Sequence, residues 1–271
     1  MVTVTAEFLQ GWIATLMWPL ARILAFIAVA PLFNHRALPR NIKLALGLVL
    51  TVAVMPALPE IPPVTVFSMS GLLIFVQQIL IGAAMGFSLR IIFTAVELAG
   101  HAAGMTMGLG FAMFYDPQTQ GQSTAIGQFL VVMAMLIFLA IDGHLVVIST
   151  LLASFSSFPI TAEPYWGLNA YKIALWGGQI FSAGLLISLP IITALLMANL
   201  ALGILTRTAP QLNLFGIGFP ITITLGFLML MLALPYMMQP VQKLMYASMG
   251  FMQEIAHPAA SGSPAGIMNK M

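Results

Sequence analysis

The chain of 271 residues contains no cysteine. That absence excludes disulfide staples, thiolate metal centres and cysteine nucleophiles, and leaves the redox compartment open. Charge is nearly as scarce, with Lys and Arg numbering 9 and Asp and Glu 7, or 6% of the residues. A soluble domain carries about 25%, so the polar exterior that a water-soluble fold of this length needs cannot be built here. The net charge of +2 is spread over the chain, without the clustered Lys and Arg that neutralise a phosphate backbone, so nucleic-acid binding is excluded. The basic n-region and small-residue cleavage site of a secretory leader are missing, and Glu7 precedes the first apolar run. That run is expected to be retained.

What is present is apolar sequence, 61% of the chain. Runs extend from Phe8 to Phe33, Ile42 to Leu58, Phe67 to Leu98, Ile126 to Phe158, Ile173 to Leu205 and Leu214 to Met238. Crossing a hydrocarbon core takes about 20 residues as a helix, so the pattern predicts an all-α, polytopic membrane protein with six spans. Several runs fit a simple span badly. The second is short and ends at Pro56 and Pro59, the fourth is broken by Asp142-Gly143-His144, and Pro190, Pro220 and Pro235 punctuate the last two. Kinked helices or hairpins are expected, with freed carbonyls bonded by neighbouring helices. Arg36, Arg40 and Lys43 between the first two runs place that loop in the cytoplasm by the positive-inside rule. From Val241 to Ile255, apolar residues recur at helical spacing and predict an amphipathic helix. The Pro- and Gly-rich residues 258–271 are expected to be a disordered tail.

The stretch from Gly104 to Gln122, GMTMGLGFAMFYDPQTQGQ, is of a different kind. Gly104, Gly108 and Gly110 each cost about 1 kcal/mol in a helix relative to alanine, and Asp116-Pro117 is a turn signal. An irregular loop is expected. It carries Met105, Met107, Leu109, Phe111, Met113, Phe114 and Tyr115, which must be buried against protein or close a cavity, since irregular backbone at membrane depth survives only there. The residues leave two readings: a deformable seal of flexible, polarizable methionines, or a packed loop.

A charge inside an apolar run costs about 3 kcal/mol on insertion scales, so each is a candidate site. Arg22 follows Trp18-Pro19, and reads as a buried charge bonded to freed carbonyls or to a partner's acid, with a substrate role as the alternative. Arg90 and Glu97 lie seven residues apart, two turns along one helical face, too far to pair, and read as intersubunit or structural charges. Asp142-Gly143-His144 suits a helix break better than a proton relay. His35, His101 and His257 lack companion ligands at metal spacing. Ser154, Ser156 and Ser157 have neither a nucleophile-elbow motif nor an adjacent base, and no phosphate-cradling loop occurs. No enzyme, metal site or cofactor is expected.

Four segments taken together, PLFNHRALPRNIKLALGLVLT from Pro31, GLGFAMFYDPQTQGQSTAIGQ from Gly108, FLAIDGHLVVISTLLASFSSFP from Phe138 and TRTAPQLNLFGIGFP from Thr206, make the chain resemble the FliR family, membrane components of the flagellar type III export apparatus. Related injectisome components share the pattern. The resemblance covers residues 1 to about 257 and rests on the order and spacing of the segments.

The resemblance implies a single copy of this chain completing an assembly with FliP and FliQ around an export channel in the bacterial inner membrane, within the flagellar basal body, with FlhB bound outside. Unfolded flagellar subunits would be the cargo. It further implies a FliP-like part over residues 1–171, a FliQ-like helix pair over 172–257, and tilted hairpins held toward the periplasmic side. On this resemblance residues 104–122 are the channel plug, with Met105, Met107, Gly108, Gly110, Phe111, Met113, Phe114 and Tyr115 as its members. Arg207, Pro210, Gln211 and Asn213 fall in the turn of the FliQ-like pair, where interface packing and substrate contact are both open. Two readings from other classes stand beside it: a small-solute transporter, for which no inverted repeat of equal halves is found, and a purely structural scaffold.

Overall fold

A computed structural model describes residues 6–35, 37–59, 62, 64–111, 125–161, 170–208 and 218–256. All the regular structure among the described residues is helical, with no strand among them. They form α1 (Ala6–Val29), α2 (Arg40–Val54) capped by a 3-10 turn (Met55–Ala57), α3 (Met69–Thr106), a second 3-10 turn (Leu109–Phe111), α4 (Ala125–Ala140), α5 (Gly143–Ser157), α6 (Ala170–Gly177), α7 (Gln179–Thr208) and α8 (Phe219–Ala256). Five helical stretches are long and apolar enough to cross a membrane, and α4 with α5, a bent pair, makes a sixth if it counts as one span. The six-run reading therefore holds as a count of candidate spans.

Two helices differ from the sequence pattern. α3 runs for 38 residues and includes Gly104, so the irregular segment begins after Thr106 rather than at Gly104. One glycine costs about 1 kcal/mol, which the packing of so long a helix outweighs. α3 ends where Gly108 takes φ 88°, a left-handed conformation costly for other residues. α8 runs continuously through Pro235 and Pro240, absorbing the stretch expected as a separate amphipathic helix. Each proline removes one hydrogen bond, and the apolar sequence on both sides keeps the helix going. α1 likewise continues through Pro19.

The chain divides into two compact units, one of residues 1–90, 142–176 and 247–271, the other of 91–141 and 177–246. In the first, α1 and α3 pack backbone to backbone. A methyl group at Gly82 would overlap the carbonyl of Arg22, and one at Gly86 would lie 2.9 Å from the carbonyl of Phe26. This is the Gly-x-x-x-Gly device of membrane helix pairs, in which close approach replaces a hydrophobic drive that lipid cannot supply. α2 leans on α1 at Gly47, against Leu24. The end of α8 is pinned to α3 by Ser248, whose buried hydroxyl donates to the Ser88 carbonyl at 2.7 Å. α6 lies on the same end through the stacked rings of Trp176 and Phe251, 4.6 Å between centroids, and through the Lys172–Glu254 ion pair.

The second unit repeats the close-packing device. A methyl at Gly100 would lie 2.5 Å from the Cα of Gly127 on α4, and one at Gly184 on α7 would lie 2.9 Å from the carbonyl of Ala95 on α3. The edge of the Phe93 ring meets Phe138 of α4. The outer faces of α7 and α8 in this unit expose Phe181, Leu186, Met197, Leu200, Met231 and Tyr236, an apolar exterior suited to lipid or protein and not to water.

Candidate functional site

Two places combine chemistry with tight positioning. The first, in the first unit, is Arg22. The close approach at Gly82 and Gly86 sets α1 against α3, so that Arg22, fully buried, meets Gln78 of α3, also fully buried. Arg22 Nε donates to Gln78 Oε1 at 2.8 Å. Nη1 donates to the Ser154 carbonyl at 2.9 Å and its hydroxyl at 3.1 Å, and Nη2 donates to the Phe158 carbonyl at 2.8 Å. The guanidinium lies over the Phe155 ring, 4.1 Å from its centroid, a cation–π contact that desolvation strengthens. The Ser154 and Phe158 acceptors sit at the C-terminal end of α5, where the helix dipole favours a cation, and the Ser154 carbonyl also accepts the Phe158 amide at 2.9 Å. The charge is held without a carboxylate within ion-pair distance among the described residues. Arg22 is thus enclosed and bonded to two carbonyls, an amide oxygen and a hydroxyl.

The second, in the other unit, is the root of the Met- and aromatic-rich segment. Beyond α3, Met107 is fully buried and its amide still bonds back to the Ala103 carbonyl at 3.0 Å. Its side chain fills the space over Gly226 of α8: a methyl there would fall 2.5 Å from Met107 Cε and 2.8 Å from Sδ. The Thr222 hydroxyl reaches the Met107 carbonyl at 3.3 Å, and the Asn199 amide of α7 reaches the Thr106 carbonyl at 3.4 Å. Burying one methionine is worth about 1.5–3 kcal/mol. Gly108 follows at once with its positive φ. Met105, in contrast, is exposed, with its sulfur against Gly110, and Phe111 closes the 3-10 turn. Met113, Phe114 and Tyr115 lie outside the described residues, as do Pro210, Gln211 and Asn213.

The remaining candidates are dispersed. Arg90 is exposed and Glu97 half-buried on α3, neither with a side-chain partner among the described residues. Arg207 is exposed in the last turn of α7, where a cation complements the helix dipole. Asp142 is exposed at φ 54°, in the break between α4 and α5, the helix break that Asp142-Gly143-His144 suggested. Among the described residues no three His, Asp or Glu side chains gather as a metal would require.

The sequence reading passed over Gln78, Gly82, Gly86 and Gly226. The spacing of Gly82 and Gly86 is a readable signal. Gly226 and Gln78 carry none, since their importance comes from what the fold brings to them.

Residues 13–248 match the family model described as bacterial export proteins, family 1. The flagellar biosynthetic protein FliR of Pectobacterium carotovorum subsp. carotovorum is 44% identical over 235 residues, covering 87% of this chain and 90% of that protein. FliR of Escherichia coli K12 is 42% identical over the same shares, and FliR of Bacillus subtilis 168 is 33% identical over 79% of this chain and 83% of its own. With a family match running from α1 into α8 and identities of 33–44% over most of both chains, the chain belongs to the FliR family of bacterial export proteins, transport components of flagellar type III export and not enzymes.

Proposed function

We propose that the chain is a core subunit of the flagellar protein export gate, forming with FliP and FliQ the channel by which unfolded flagellar subunits cross the inner membrane. FlhB is bound outside, and the Met- and Phe-rich segment plugs the closed pore. The observation that carries this reading is the local one at Gly108: a long, buried helix gives way through a left-handed glycine to a segment of methionines and aromatics.

A channel for unfolded polypeptide must admit any sequence and still block ions when idle. Met105, Met107, Phe111, Met113, Phe114 and Tyr115 supply apolar, adaptable closure, a constriction that excludes water and reforms around whatever passes. Gly108 and Gly110 let the backbone yield. Residues 1–171 make the FliP-like part in this reading, and 172–257 the FliQ-like pair, for which α7 and α8 are the two long helices. The exposed apolar faces of α7 and α8 suit partner helices and lipid, with Arg90, Glu97 and Arg207 placed as charges at subunit contacts.

The test is the native mass of the tagged chain, extracted in detergent after co-expression with its genomic neighbours. One copy among several copies of two small membrane proteins is the expected result. A monomer or homodimer would remove the gate reading.

A further inference from the structure

We infer that the seam between α1 and α3 encloses a single buried water, bonded to the Trp18 indole N–H, the Gln78 amide N–H and the Thr15 carbonyl. The site lies in the first unit and needs nothing from the channel reading. Gly82 meets Arg22 and Gly86 meets Phe26, four residues apart on both helices, so α1 and α3 run parallel, and one turn toward their starts Gln78 faces Trp18. Glycine closes the seam at two turns, and at the third it is filled by side chains. Both are fully buried, and among the described residues neither Trp18 Nε1 nor Gln78 Nε2 has a hydrogen-bond acceptor. Turning the Gln78 amide over does not help, since Arg22 Nε can only donate and holds Oε1 at 2.8 Å. Buried donors in native folds are bonded.

The same turn supplies an acceptor. Pro19 lies inside α1 and has no N–H, so the Thr15 carbonyl, four residues earlier, lacks its helical donor. Thr15 is half-buried and shares the face of α1 that carries Trp18 and Arg22, three and seven residues on. Its hydroxyl is already committed to the Gly11 carbonyl at 2.7 Å. Donors on two helices and a freed carbonyl on one call for a molecule that both accepts and donates. Water does so. A small anion only accepts, and the Arg22 fork that would balance its charge is turned to carbonyls at the end of α5. A buried water making about three bonds suits such a place, and ordered water is one of the ways in which the group freed by a proline is bonded again in a membrane helix.

The complex purified with its partner subunits, imaged by cryo-electron microscopy at a resolution that shows other buried waters, is expected to carry one isolated density about 2.7–3.2 Å from both Trp18 Nε1 and Gln78 Nε2. A map with well-defined side chains and no density there overturns the inference. Replacing Trp18 by its benzothiophene analogue, which keeps the ring shape and removes the N–H, is expected to lower the thermal midpoint of the complex by a few degrees. An unchanged or raised midpoint would mean that the N–H bonds nothing, and overturns it too. Exchanging chloride for gluconate at constant ionic strength is expected to leave the wild-type midpoint where it is. A fall on that exchange, absent from the complex carrying the analogue, would make the bound species an anion and overturn the assignment of water. Should the analogue fail to assemble, the map of the wild-type complex decides.

Discussion

The Phe155 ring lies face-on beneath the guanidinium of Arg22, 4.1 Å from ring centroid to carbon, and the rest of the cation is taken up by carbonyls, an amide oxygen and a hydroxyl. In the first unit this one side chain links three helices that are far apart in sequence.

Arg22→Ala is therefore expected to cost more than a lost salt bridge at a surface. It strands buried neutral acceptors at about 1–3 kcal/mol each and empties a large buried volume, a further loss on the order of a few kcal/mol. Arg22→Lys keeps the charge but not the planar fork, and is expected to lose about 1.5–3 kcal/mol, the worth of one charged hydrogen bond. The thermal midpoint of the detergent-purified complex, followed by size-exclusion chromatography, should order the three proteins wild type, Lys, Ala. Equal midpoints for Lys and Arg would show that the fork geometry is unimportant.

At Gly82 an added methyl meets the Arg22 backbone, which has no side chain to swing aside. Gly82→Ala should cost about 3 kcal/mol, the upper end of overpacking effects, and lower the amount of folded chain recovered from membranes. Gly250→Ala, exposed on α8 with nothing within 4 Å of the new methyl, should be neutral or stabilising by about 0.5–1 kcal/mol. If the two variants are recovered equally, the close approach of α1 and α3 is not what holds this unit.

Asp142 holds φ 54° without a capping hydrogen bond from its side chain. Left-handed backbone costs an ordinary residue about 1–2 kcal/mol, so Asp142→Gly should raise the thermal midpoint slightly, and Asp142→Val should lower it. A lower midpoint for glycine would indicate that the carboxylate contributes something beyond its backbone conformation.

Removing residues 110–118 should leave the complex assembled, because Met107, packed over Gly226, and the helices around it lie outside the deletion, and should make cells permeable to ions or small solutes when export is idle. Conductance or dye uptake in cells with a normal complex measures this directly. Unchanged permeability would end the plug assignment.

The helices were legible because apolar runs of spanning length leave few alternatives, and the break at Asp142-Gly143-His144 was legible because no helix pattern passes through it. The end of α3 was not. Gly104 reads as a breaker in isolation, yet a single glycine penalty is small beside the packing of the helix that contains it. Pro235 misleads in the same way. For Arg22 the sequence conveyed that a buried charge must be bonded, and not to what: Gln78 lies 56 residues away and Phe158 136. Only tertiary structure brings such groups together. Gly226 is the extreme case, since an absent side chain gains its meaning solely from Met107 seated above it.

Every acceptor gathered around Arg22 is a group that neither gains nor loses a proton between acid and alkaline water: two peptide carbonyls, a carboxamide, a hydroxyl and a benzene ring. A carboxylate in their place would have made the joint sensitive to acidification on whichever side reached it. Across a membrane that maintains a proton gradient, acidification on either side therefore finds no acceptor to protonate in the contact that ties α1 to α3 and α5.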